Sequence, residues 1–104
     1  MKARERDLES KFQSELIEEL EQLFPGCFIM KNDEQYIQGV PDLIILFGRH
    51  WATLECKAYE TAGHQPNQDY YVGLHDEMSY SAFIFPENKE EILDELQQAL
   101  QPCR

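Results

Sequence analysis

Asp42, Glu55 and Lys57 are the residues of this chain whose types and spacing suit hydrolytic chemistry. They sit in two runs that otherwise read as strands. Leu43 to Phe47 is continuously apolar, and Trp51 to Lys57 alternates, with Ala52, Leu54 and Cys56 on one face and Trp51, Thr53, Glu55 and Lys57 on the other. Between them, Gly48-Arg49 suits a two-residue type II′ turn, which wants glycine first. That turn pairs Phe47 with His50 and, counted back along both strands, sets Asp42 opposite Glu55. Directly opposed residues have Cβ atoms ~5 Å apart, and like charges there destabilise a sheet. The pair therefore needs a compensating cation. Lys57, two residues beyond Glu55, projects from the same face and supplies one positive charge. A divalent ion would supply the rest. Two carboxylates with a backbone carbonyl and waters form a hard-oxygen set, suited to Mg²⁺ or Mn²⁺ rather than Zn²⁺.

The elements that must position these groups follow from the hydrophobic pattern. Leu8, Phe12, Leu16, Leu20 and Leu23/Phe24 recur at helical spacing until Pro25-Gly26, predicting an amphipathic helix over about 6 to 24. Cys27 to Met30 reads as a first strand and Asn32-Asp33-Glu34-Gln35 as a polar loop. Gly39 is read as a place where substrate backbone or metal approaches closely, and Pro41 biases Val40 to an extended form and so aims Asp42. Ala58 to Gln68 is a polar stretch that loops over the end of the strands. A helix opens at Pro66 or Asn67 with Tyr71, Leu74, His75 and Met78 as its stripe. Ser81 to Phe85 is a last strand, and strand, helix, strand in this order predicts a parallel, right-handed crossover. Asn88 with Glu91 reads as a capping box for a final helix lined by Ile92, Leu93, Leu96, Ala99 and Leu100.

Pro41-Asp42 followed by Glu55-Cys56-Lys57 across a hairpin resembles the signature of the PD-(D/E)XK nucleases. Gly39-Val40-Pro41-Asp42-Leu43 with the later Gln68 resembles the VRR-NUC branch in particular. The similarity spans most of the chain, so residues 1–104 read as a single VRR-NUC-like domain. It implies an α/β, restriction-endonuclease-like αβββαβ core, a mixed central sheet flanked by helices, here with an extra C-terminal helix. It further implies an Mg²⁺-dependent DNA endonuclease, with Mn²⁺ as substitute, that leaves a 5′-phosphate. Small stand-alone members look like Holliday-junction resolvases, which act on branched DNA as homodimers. Carried onto this chain, Asp42, Glu55 and the Cys56 carbonyl hold the metal, Lys57 orients the attacking water or offsets charge developing in the transition state, and Gln68 completes the centre. An acidic residue of the first helix joins them. Glu9, on the border of the apolar stripe, matches that position best, with Glu15 as second choice and a macrodipole role as the structural alternative. Gln65 competes with Gln68 but precedes Pro66.

Composition sets limits. At 104 residues the chain suits one domain with a modest core. No apolar run approaches a membrane span and the opening residues lack the apolar segment of a signal peptide, so a cytoplasmic protein is expected. Cys27, Cys56 and Cys103 form an odd set without CxxC spacing, against a disulfide framework or zinc knuckle, and His50, His64 and His75 lack metal-ligand pairing. His64, in the site loop, is read either as an exposed loop residue or as a group that touches phosphate or acts on a leaving group. The net charge of −11 opposes nucleic-acid affinity, which rests on Lys and Arg. Lys2, Arg4, Arg6 and Lys11 gather at one end and Glu87, Glu90, Glu91, Asp94 and Glu95 at the other, so a dimer or a partner protein that aids DNA binding is expected. The same charge supports two rivals: a non-catalytic acidic module such as a DNA mimic, and a nuclease-fold subunit needing a basic partner.

Overall fold

The computed structural model describes residues 3–33 and 35–101. Glu34 of the predicted polar loop, Lys2 of the basic cluster and Cys103 lie outside the described residues. The element order is α1 (Ala3–Leu23), β1 (Phe28–Lys31), β2 (Leu43–Phe47), β3 (His50–Cys56), α2 (Pro66–Met78), β4 (Ser81–Ile84) and α3 (Lys89–Leu100). The strands form one sheet in the order β1-β2-β3-β4, antiparallel except for the parallel β3–β4 pair across α2. This is the α/β, αβββαβ arrangement with a C-terminal helix that the sequence predicts.

The β2–β3 hairpin has the expected register. Phe47 pairs with His50 and Leu43 with Leu54, so Asp42 and Glu55 follow as the next opposed positions. Gly48 takes φ +61° and no non-glycine among the described residues has positive φ, as a type II′ turn with glycine first requires. The two faces of the sheet then separate by chemistry. Leu43, Ile45, Ala52, Leu54, Cys56 and Ile84 point to one side, where Leu16, Leu20 and Phe24 of α1 and Ile92, Leu93, Leu96 and Leu100 of α3 complete the core. The opposite face carries Thr53, Glu55 and Lys57, all buried although polar, and α2 covers it. A row of buried polar groups needs hydrogen-bonding partners, and α2 is where they come from.

Three helix expectations are corrected. Leu8 is 43% exposed and lines a groove with Lys11, Phe12, Ala58, Pro86 and Lys89 instead of joining the core. On α2 the buried residue is Val72, whereas Met78 is exposed and Tyr71, Leu74 and His75 are half-buried. A helix packed on polar strand residues has little use for a wide apolar stripe. The Asn88–Glu91 capping box does not form. Asn88 instead turns back on the strand end, accepting the Phe85 N–H at Oδ1 and donating to the Phe83 carbonyl. The reciprocal motif appears at α2, where Gln68 Oε1 accepts from the Gln65 N–H at 3.0 Å.

Candidate active site

The sequence places Asp42 immediately before β2 and Glu55 and Lys57 at the end of β3. The edge of the hairpin therefore gathers them. Each carboxylate has one oxygen held by a protein N–H: Asp42 Oδ2 accepts from the Cys56 backbone at 2.9 Å, and Glu55 Oε2 from Gln68 Nε2 at 3.1 Å. Lys57 Nζ lies 4.0 Å from Glu55 Oε2, with side-chain exposures of 4% and 2%. A pair this deep is tolerated only when further hydrogen bonds satisfy it. Lys57 Nζ has them, donating to Gln68 Oε1 at 2.7 Å and to the Gly63 carbonyl at 3.0 Å. The Gln68 amide is thus fixed by three partners: its oxygen takes the lysine and the Gln65 N–H, and its nitrogen serves the glutamate.

Backbone geometry explains the place of Cys56. Thr53 and Lys57 donate their N–H groups to Tyr80 and Ile84 on the β4 side, so the alternate residue Cys56 turns its backbone toward β2. The ladder partner at that position is Pro41, which has no N–H to give. The bond that would engage the Cys56 carbonyl therefore cannot form from the strand. The Asp42 carboxylate takes the Cys56 N–H in place of a backbone carbonyl.

The Cys56 side chain points to the α1 face. Burial pushes its thiol well above the ordinary range, and the charges of Asp42, Glu55 and Glu9 add to the shift, while a hydrogen bond to Gln13 opposes it. The charges of all three acids predicted from sequence thus reach the Cys56 thiol. Glu9 is half-buried on α1, with Gln13 one turn further along. Glu15 is exposed and lines the separate groove with Lys11 and Lys89. Sequence reasoning assigned Gln13 no role, although its i, i+4 spacing from Glu9 puts it on the same helical face.

Gly39 is a point of close approach, and the approach seen is that of Asn67. It takes φ +92°, and a Cβ there would stand 2.3 Å from Asn67 Cβ and 2.9 Å from the Asn67 carbonyl carbon. The close approach is that of α2's first turn, which anchors the segment before Asp42 against the helix that carries Gln68. Gln38, Gly39, Gln65, Pro66, Asn67 and Gln68 line a cleft of about 410 Å³. His64 stacks on Phe83 with ring centroids 3.8 Å apart, and its Nδ1 lies 3.0 Å from Asp69 Oδ1.

Among the described residues no group of three or more His, Cys, Asp and Glu side chains stands ready to hold a metal ion. The fit to a divalent ion rests instead on two carboxylates and a carbonyl. Mg²⁺ suits such a set, since it keeps several waters and takes one or two carboxylates with substrate phosphate. No family model matches the chain, and neither a curated protein nor a solved structure shows significant similarity to it.

Proposed function

We propose that this chain is an Mg²⁺- or Mn²⁺-dependent DNA endonuclease that hydrolyses phosphodiester bonds, acting on branched DNA as a homodimer. The observation that carries the reading is the buried Glu55–Lys57–Gln68 network beside Asp42. Two desolvated charges are weak evidence of a stabilising device, so their retention at the end of the hairpin supports a role in chemistry. Asp42, Glu55 and the Cys56 carbonyl would hold the ion, with Glu9 facing it from α1. When bound, the ion supplies Lewis-acid polarisation of the phosphoryl group and of water. Lys57 offsets the two carboxylates and stands where negative charge grows on the phosphoryl oxygens. Gln68, locked by its three partners, holds Glu55 and Lys57 in place without rearrangement at the moment of reaction. A two-fold dimer would set two such sites on two strands.

The acidic-mimic reading draws on the net charge of −11. It is disfavoured by burial, since Glu55 is 2% exposed and a mimic must display its carboxylates. The deciding experiment incubates supercoiled plasmid and a four-way junction with Mg²⁺ or Mn²⁺, using wild type, Glu55→Gln and Asp42→Asn. The expected result is metal-dependent cutting that falls by about 100-fold or more in each variant, the scale of losing transition-state charge stabilisation. A folded wild type that cuts neither substrate with either ion overturns the proposal.

A further inference from the structure

The residues assigned above leave one requirement unmet: a group to take the proton of the attacking water. Lys57 Nζ is a donor to Gly63 and Gln68, and the two carboxylates are assigned to the ion. His64 is built into the same network from both sides. The Gly63 carbonyl before it receives Lys57 Nζ at 3.0 Å, and the Gln65 N–H after it meets Gln68 Oε1 at 3.0 Å. Its ring lies flat on Phe83, at 3.8 Å and 13°, and Phe83 is the residue paired with Glu55 on the neighbouring strand. Asp69, next to Gln68 on α2, holds Nδ1 at 3.0 Å. A carboxylate accepts only, so it fixes the proton on Nδ1 and turns the Nε2 lone pair outward. An exposed loop histidine with no role would not need an acid to set its tautomer and an aromatic ring to set its plane.

We propose that His64, positioned by Asp69, is the proton acceptor for the water that attacks the phosphodiester; this rests on the nuclease reading above. As the water oxygen bonds to phosphorus, its proton passes to His64 Nε2. The bond from phosphorus to the leaving oxygen breaks with its electron pair on that oxygen, which takes a proton from solvent. His64 then returns its proton to solvent, so one water is consumed and nothing is oxidised. The charged groups on the elements around His64 are Asp69, Asp76 and Glu77 of α2 and Glu55 and Lys57 at the end of β3, with His75 of α2 and His50 of β3 also titratable, while β4 contributes the neutral Phe83.

The test compares wild type, His64→Ala, His64→Gln, Asp69→Asn and the distant control His50→Gln in Mg²⁺-dependent cutting. Removing the base should lower kcat by about 100-fold with KM nearly unchanged, and free imidazole should restore part of the His64→Ala rate. Asp69→Asn should lose about tenfold and His50→Gln nothing. Nitrogen-15 spectra should show the Nδ1–H tautomer, and this readout does not depend on cutting. Equal cutting by His64→Ala, a loss confined to KM, a loss that imidazole does not rescue, or an Nε2–H tautomer each overturns the proposal while the nuclease reading stands. A wild type that does not cut overturns both.

Discussion

Gln68 bridges the two halves of a buried ion pair: its Nε2 stands 3.1 Å from Glu55 Oε2 and its Oε1 2.7 Å from Lys57 Nζ. Truncation to alanine would leave a buried carboxylate oxygen short of a donor and a buried ammonium short of an acceptor. A lost partner of this kind costs about 1–3 kcal/mol. Gln68→Ala is therefore expected to lower Tm by about 10 °C. Gln68→Glu keeps the acceptor for Lys57 but faces Glu55 with a like charge, so it should lose metal-dependent cutting by about tenfold or more while losing less stability than the alanine variant. Thermal melts and cleavage rates of the two variants, taken together, check this; equal stability in all three proteins would show that the amide bears no such load.

The Glu55–Lys57 pair makes a second prediction. Both side chains are nearly sealed from water, so removing one partner strands the other's charge. Lys57→Met should destabilise by about 3–5 kcal/mol, and the double variant Lys57→Met with Glu55→Gln should be more stable than Lys57→Met alone. Urea denaturation of the four proteins in the cycle measures the coupling. Additive losses would mean that the two charges do not interact.

Much of this site was legible in the letters because its parts obey short-range rules. The turn chemistry of Gly48, the period-two alternation of Trp51 to Lys57 and the helix-opening Pro66 each act over a few residues. The first two set the register that brings Asp42 and Glu55 together, and the third places Gln68. What the sequence hid depends on which surface lies beneath an element. The apolar spacing that includes Leu8 does not say where the core ends, and the spacing of Met78 does not say that α2 rests on Thr53 and Glu55 rather than on an apolar layer. Asn88 and Glu91 have the right types for a capping box, but the nearby strand end offers Asn88 better partners. Gly39 announced a special backbone without naming Asn67 as its cause.

His75 links α2 to the polar face of the sheet through Thr53 Oγ1 at 2.9 Å, and Thr53 in turn donates to Ser81 at 2.8 Å. Burial lowers the pKa of His75 below its ordinary 6.5. The unfolded chain then binds a proton more readily than the folded one, so stability rises with pH across this window. The contribution is complete above pH 6.5 and is lost as pH falls through the lower folded value. Melting curves between about pH 7.5 and about pH 5, roughly the span of a histidine titration, should show Tm falling on acidification. His75→Gln should reduce that slope; an unchanged slope would assign the pH dependence to other groups.

Gly39 and Gly26 provide a comparison within one molecule. Both take φ near +90°, yet a Cβ at Gly26 would meet nothing within 4 Å, whereas at Gly39 it would stand 2.3 Å from Asn67 Cβ. Gly26→Ala thus measures the backbone penalty alone, about 1 kcal/mol. Gly39→Ala carries the same penalty plus a clash with the first turn of α2, and should cost at least about 2 kcal/mol more, the scale of overpacking. Adding Asn67→Gly removes the Cβ contact but leaves the carbonyl carbon at 2.9 Å, so it should recover only part of the loss. Because α2 also carries Gln68, the shift forced by Gly39→Ala should reach the Glu55–Lys57 network and depress cleavage, while Gly26→Ala leaves cleavage intact. Tm and cutting rate for the three variants test both halves, and equal effects of the two alanines would show that the segment before Asp42 is not braced against the helix.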